Sequence, residues 1–261
     1  MPTLTEQTKP KGLKLIHYGE SGSGKTVRAS QFAKFGRVYF FDFDNKIDNL
    51  QAFLQSKNPD LLPNISYDVY RGSDKEVVEA VNTKLEEIAA SIVAGKPLYE
   101  TIVLDSWTQF ERNYFNYLLS RFSGLGGKNW GEARQTVQVS PKDTIILPGT
   151  LDHQLKNRAF PEFIDKLTSL RLNIIVNCHV KEMMKGPNTI AASGETARTL
   201  PKYFNEFLYL YKNPDGSFKI RASGNSDFLA SSFRTDVPPT GVLKNDDFDA
   251  YSQYLIRKDL K

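Results

Sequence analysis

The sequence predicts an α/β fold: a mostly parallel central sheet flanked by helices, with an antiparallel hairpin at its C-terminal side. Three observations predict it. Apolar, β-rich runs alternate with helical patterns along most of the 261 residues, which is the rhythm of βαβ units. The run LKLIHY (13–18) leads directly into a glycine-rich turn and then into a helical pattern. Near the other end, NPDG separates two apolar runs, FLYLYK (207–212) and FKIRA (218–222), and signals a tight hairpin turn.

Taken in order, LKLIHY is the first strand and KTVRASQFAKF (25–35) the first helix. RVYFFDF (37–43) and SYDVYR (66–71) are the next strands. Ser73 and Glu76 have the spacing of a capping box, and Val77, Val81, Leu85, Ile88 and Ile92 recur behind them at helical intervals. TIVLDS (101–106) has the unbroken apolar character of a buried strand. In 107–122, Phe110, Tyr114, Leu118 and Phe122 fall on one face of a helix. NIIVNCH (173–179) is another buried-type strand. Residues 123–149, with five glycines, and residues 185–200 show little periodicity. Loops of that length in a compact domain are usually functional or disordered.

Composition sets the class. Hydrophobic residues make up 40% and aromatics 12%, enough for a substantial core and against wholesale disorder. No run of about 18 apolar residues exists, so no membrane span is expected. The polar start MPTLTEQTKPKG lacks the apolar segment of a secretory signal. The single cysteine, Cys178, excludes an internal disulfide, and a cytoplasmic location is expected. The net charge of +4 permits contact with nucleic acid without demanding it. Three histidines and one cysteine, all scattered, argue against a structural metal. The expected organisation is a flexible N-terminus (1–11), one domain (12–250) and a basic C-terminal tail (251–261).

The turn carries the chemistry. GESGSGKT (19–26) matches G-x-x-x-x-G-K-[ST] at every fixed position, between a strand and a helix. That is a P-loop. Gly19, Glu20, Ser21, Gly22, Ser23 and Gly24 let the backbone curl so that successive N–H groups face phosphate oxygens. Lys25 is expected to reach the β- and γ-phosphates, and Thr26 to offer its hydroxyl to Mg²⁺. ATP and Mg²⁺ are therefore the expected ligands. A second carboxylate for the metal's water shell should end a neighbouring strand, and Asp105 of TIVLDS fits. The other reading of Asp105 is a helix N-cap, which Ser106 could equally supply. Asp42 and Asp44 in RVYFFDFDN fall on one face of an extended strand. Asp44, further along, is placed to orient or deprotonate the attacking water; the other reading is a loop-capping pair. Asn177 and His179 of NIIVNCH end at the sheet's carboxyl edge, where open α/β sheets place ligands. Either could sense the γ-phosphate, although a lone histidine is more often structural.

The order P-loop, FFDFDNKID, IVLDS and a strand with a polar end resembles the RecA-like ATPase core. In the recombinases an acidic residue after a strand activates water, and Asp44 falls on that position, as aspartate where the bacterial recombinase has glutamate. Residues 12 to 250 resemble more closely the phage nucleotide-binding proteins with a single RecA-like AAA domain, which include single-strand annealing recombinases. YGESGSGKT, TIVLDS, NWGEARQ (129–135), NIIVNCH and RTLPKYFNEFLYLY (198–211) carry the resemblance. It implies ATP binding, single-stranded DNA binding, homo-oligomers, a possible single-strand-binding protein as partner, and a host-cytoplasmic setting. Arg198 and Arg234 are then candidates for a role in cis or in trans at the ATP site, with plain surface arginine as the alternative. Arg121, Lys128 and Arg134 around Trp130, and Lys181, Lys185 and Arg198, would supply the DNA contacts, basic groups on phosphates and an aromatic ring on a base.

Other functions remain open. A nucleotide-controlled binding module with little hydrolysis is one, because aspartate has a shorter arm than glutamate. A small-molecule kinase would need a lid with clustered arginines, and no R-x-x-x-R cluster is present. A packaging or helicase-like motor would usually need further domains.

Overall fold

In the computed structural model the described residues are 12–123, 135–138, 144–147, 150–184, 186–192, 194–232 and 237–243. The elements run β1 (Lys14–Gly19), α1 (Lys25–Ser30), β2 (Val38–Asp42), α2 (Ile47–Lys57), β3 (Ile65–Val69), α3 (Asp74–Val93), β4 (Thr101–Asp105) and α4 (Trp107–Ser123). A strand pair follows, β5 (Gln135–Gln138) and β6 (Thr144–Leu147), then α5 (Thr150–Ser169), β7 (Asn173–Lys181), β8 (Thr189–Ile190) and α6 (Gly194–Thr199). The last are β9 (Glu206–Lys212), β10 (Phe218–Arg221), β11 (Ser231–Ser232) and β12 (Val242–Leu243).

The main sheet has the order β12-β10-β9-β1-β7-β4-β2-β3. From β9 to β3 every neighbour is parallel. β10 returns antiparallel to β9, and β12 antiparallel to β10. This is a mixed α/β fold, mostly parallel with an antiparallel end, as the sequence predicts.

Strand alternation creates two cores. In β2, Val38 and Phe40 join Ala29 of α1 and Leu50 and Leu54 of α2. Tyr39 and Phe41 point the other way, into a cluster with Val77 and Val81 of α3 and Trp107 and Phe110 of α4. β7 divides likewise, with Ile175 in one cluster and Ile174 and Val176 in the other. A strand covered on both faces must be apolar on both, which is why VYFF, TIVL and NIIV are unbroken runs.

Local chemistry sets several boundaries. Ser73 Oγ accepts from the Glu76 amide at 3.3 Å, and Glu76 returns a carboxylate to the Ser73 amide at 2.8 Å, closing the expected capping box. In the NPDG turn the Asn213 amide donates to the Ser217 carbonyl at 2.8 Å, and Gly216 takes the left-handed φ of +84°.

The structure differs from the sequence reading in places. The first helix is α-helical only to Ser30, and Gln31–Lys34 tightens into a 3-10 turn. Ser30 Oγ donates to the Val27 carbonyl at 2.8 Å, competing with the helix's own bonds. The chain then turns at Gly36, where a Cβ would lie 2.7 Å from a Glu100 carboxylate oxygen. Three of the described helices carried no sequence assignment: α2, α5 and the short α6. α2 hides its short apolar face, Ile47, Leu50 and Leu54, among polar residues. α5 contains Pro161, which interrupts a helical reading. The two aperiodic regions hold β5 and β6, and β8 and α6. The expected flexible start (1–11) and basic tail (251–261) lie outside the described residues, as does the side chain of Phe122. Among the described residues, no helix is long and apolar enough to cross a membrane.

Ile175 is wholly buried on a central strand. Ile175→Ala is expected to lower unfolding free energy by about 2–5 kcal/mol in urea titrations. A loss below about 1 kcal/mol would contradict its place in the packed layer.

Candidate functional site

Parallel register brings the ends of four strands to one edge. Gly19 of β1 lies opposite His179 of β7. Asp105 of β4 lies opposite both Asn177 of β7 and Asp42 of β2. A cleft of about 720 Å³ opens there, lined by the P-loop from Ser21 onward and by Asp44, Asp105 and His179.

The loop bends where glycine permits it. Gly22 and Gly24 have φ of +78° and +88°, a region L side chains rarely adopt. At Gly24 a Cβ would also meet the Phe218 ring at 3.3 Å. Gly19 packs so tightly on β9 that a Cβ would lie 2.1 Å from the Leu210 carbonyl oxygen. Gly19 and Glu20 contribute their carbonyls to Lys25, whose Nζ donates to both at 2.7 Å and to Ser23 Oγ at 3.3 Å. Burial pushes the Lys25 ammonium down to about 8, against the pull of the Asp105 carboxylate, so it still carries its charge at pH 7.

Thr26 Oγ1 donates to Asp105 Oδ2 at 2.6 Å. Burial raises the pKa of Asp105, and the Thr26 hydrogen bond opposes that rise. Ser106 takes the N-cap position, its hydroxyl accepting weakly from the Gln109 amide at 3.4 Å, so Asp105 is left to face Thr26. A buried carboxylate beside the hydroxyl that ends a P-loop is an all-oxygen pair suited to a hard cation such as Mg²⁺, with substrate phosphates completing the shell. Among the described residues no group of three His, Cys, Asp or Glu side chains could hold a metal by itself.

Asp42 and Asp44 part company. β2 ends at Asp42, and Asn45 takes a positive φ of 56°. Asp42 turns inward and accepts amides of Asp44, Lys46 and Ile47 at 2.9–3.1 Å, shaping the loop and the start of α2. The two carboxylates therefore do not share one strand face as the sequence suggested. Asp44 enters the cleft. Its Oδ1 accepts from Ser106 Oγ at 3.0 Å, and its Oδ2 meets His179 Nε2 and Lys46 Nζ, each at 3.2 Å. Burial disfavours its charge, but the His179 contact, the Lys46 charge and the Ser106 hydroxyl together outweigh burial and hold its carboxyl at about 2.

Asn177 is placed differently from a phosphate sensor at the surface. It is wholly buried and absent from the cleft lining, between its register partners His17 and Asp105. Neither of its amide atoms makes a well-aligned hydrogen bond, though it lies close enough to bias both neighbours' charge. Arg198 sits on α6, away from the lining. Lys128, Trp130, Arg134, Lys185 and Arg234 lie outside the described residues.

Sequence reasoning missed two features. Lys46 pairs with Asp44, and the signal was a cation two residues along in FDFDNKID. Phe53 of α2 and Phe218 of β10 also line the cleft, each about 40% exposed at 40% and 43%. Exposed rings on separate elements leave no local sequence pattern.

The family follows from comparison with known proteins. Residues 11–230 match the AAA domain family, and the chain belongs to it. Family and site define an AAA-type ATPase domain, a nucleotide-binding fold. The chain also has structural likeness to a prototypical ATPase from the type III secretion system of pathogenic bacteria. Identity is 11%, the TM-score is 0.49, and coverage is 78% of this chain and 53% of that one. A second likeness is to the ATPase EscN with its central stalk EscO from enteropathogenic E. coli, at 11% identity, TM-score 0.46, and coverage of 78% and 42%. The chain thus spans about half the length of those ATPases or less. No curated protein matches it.

The depressed pKa of Lys25 has a consequence for stability. The folded chain releases this proton near pH 8, whereas an unfolded lysine holds it to about 10.4. The unfolded state therefore binds more protons between those values, and this site stabilises the fold progressively as pH rises through the window. Chemical denaturation at pH 7.5 and pH 10 is expected to show a smaller pH-dependent gain for Lys25→Met than for the parent chain. Equal gains would place the ammonium in solvent.

Proposed function

We propose that this domain binds Mg²⁺-ATP, hydrolyses it to ADP and phosphate, and uses the cycle to bind and anneal single-stranded DNA. The observation that carries the hydrolytic part is the convergence on one cleft of Lys25, the Thr26–Asp105 pair and Asp44. Lys25 would hold the β- and γ-phosphates. Thr26 and Asp105 would hold Mg²⁺, which neutralises charge on the transferring phosphoryl group. Asp44, fixed by Ser106 and His179, would accept a hydrogen bond from the attacking water.

A carboxylate with a pKa of about 2 is a weak base toward free water. Phosphoryl transfer tolerates that, because its loose transition state asks mainly for alignment and charge stabilisation. Asp44 would orient the water first and receive its proton as the bond from γ-phosphorus to the bridging oxygen breaks. Phe53 and Phe218 would flank the nucleotide base.

The DNA part rests on the resemblance to the phage annealing proteins, through NWGEARQ and RTLPKYFNEFLYLY. In this reading Lys128, Trp130 and Arg134 contact the strand, further copies of the chain complete the assembly with Arg198 or Arg234 near a neighbour's ATP, and a single-strand-binding protein cooperates. A second reading, a nucleotide-gated binder with little turnover, is favoured by one observation: Lys46 already occupies the Asp44 carboxylate.

The test is Mg²⁺-dependent ATP turnover with and without single-stranded DNA, beside annealing of complementary oligonucleotides. DNA is expected to raise the rate. Lys25→Ala is expected to abolish nucleotide binding and turnover. Asp44→Asn is expected to keep binding and lose turnover by about 100-fold or more. Binding without turnover in every condition would establish the gated binder and remove the catalytic role from Asp44.

A further inference from the structure

Asp44 has three partners of different kinds. Ser106 caps the N-terminus of α4, and His179 stands on β7. Both are anchored where β4 meets α4 and on the central strand β7. Lys46 is the exception. Its backbone is pinned: its amide donates to Asp42 at 2.9 Å, and its carbonyl accepts from Asn49 and Leu50 at 3.1 and 3.3 Å. Its side chain is 41% exposed, against 13% for Asp44, and ends in the cleft beside the P-loop. A flexible four-carbon stem on a fixed base can swing its charge without moving the fold. Lys46 and Asp44 both act electrostatically on Lys25, so this second ammonium lies in the field of the phosphate-binding lysine.

Two like charges sharing one cleft repel unless an anion lies between them. The carboxylate of Asp44 is the anion Lys46 has in this structure. A triphosphate is a stronger one, with more charge and more acceptor oxygens. Once Lys46 leaves, Ser106 and His179 still hold the Asp44 carboxylate in place, and one of its oxygens gains a free acceptor site.

We propose that Lys46 is a second phosphate-binding cation of this cleft, which exchanges Asp44 for the terminal phosphate of a bound nucleoside triphosphate and thereby frees Asp44 for water. The inference rests on the ATP-binding part of the reading above, but not on turnover. Nucleotide sensing and water positioning then become one movement. ADP, lacking the terminal phosphate, leaves the Lys46–Asp44 pair closed.

The test is equilibrium titration with Mg²⁺-ADP and with Mg²⁺-β,γ-imido-ATP, a triphosphate that is not hydrolysed. The full chain is compared with Lys46→Met and Lys46→Arg. The parent chain is expected to prefer the triphosphate. Lys46→Met is expected to weaken triphosphate binding by about tenfold or more, as loss of a charged hydrogen bond does, while ADP affinity stays within about twofold. Lys46→Arg is expected to recover most of the preference. Unchanged ADP binding also shows that the variant is folded. If Lys46→Met changes neither affinity, or both equally, Lys46 is only a surface partner of Asp44 and the proposal falls. If the parent chain binds neither nucleotide, the ATP-binding reading itself falls, a distinct outcome. Preference for the triphosphate without turnover of ATP would refute hydrolysis and leave the role of Lys46 standing.

Discussion

Parallel register is the constraint on which the site depends. Asp42, Asp105, Asn177 and His17 occupy one row across four neighbouring strands, and Gly19 and His179 pair two residues further along β1 and β7. Behind that row the middles of these four strands are apolar on both faces, because helices cover both. The polar groups of the row therefore lie at or near the points where the strands stop. Each strand does so at the same edge, and the turn after β1 is the P-loop. The cleft is a consequence of how the sheet ends.

The same layering explains the electrostatics. Lys25 and Asp105 lie where the apolar layers meet the cleft, and burial pushes each toward neutrality. Asp105 is relieved by Thr26, and Lys25 by loop carbonyls and by Asp105 itself. Asp44, one loop further out, keeps its charge because three polar groups reach it. The same row is drier where it crosses β1. His17 is wholly buried and held near 3, chiefly by burial, so it stays neutral beside the positive charges of Arg28 and Lys25. Charge thus increases from the sheet interior toward the cleft, as a polyanion site with a dry base requires.

Much of this was legible because the decisive patterns are local. GESGSGKT, the Ser73–Glu76 box, NPDG and the apolar strands each place their own backbone, and their spacing is read directly. The α2 helix was not legible, since three apolar residues in a polar run make a weak period. The partnership of Asp44 with Ser106 and His179 joins residues 62 and 135 positions apart and exists only through the sheet. Asn177 was misplaced for a related reason. Its place near the end of NIIVNCH put it at the sheet's carboxyl edge, but β7 continues to Lys181 and leaves Asn177 beneath that edge.

The length of the Asp44 arm bears on what the cleft can do. A glutamate reaches one methylene further than an aspartate from the same Cα. Here the backbone makes up part of that distance. β2 stops at Asp42, whose carboxylate gathers three amides of the next turn and draws the chain round toward β4 and β7. Asp44 leaves that turn already inside the cleft, within hydrogen-bonding distance of Ser106 and His179. The turn that shortens the reach required of Asp44 also sets Lys46 two residues later, close enough to compete for the same carboxylate. A shorter acidic arm and a cation beside it are then two results of one bend. The first keeps water alignment geometrically open to an aspartate, and the second makes that alignment depend on where the lysine finds its anion.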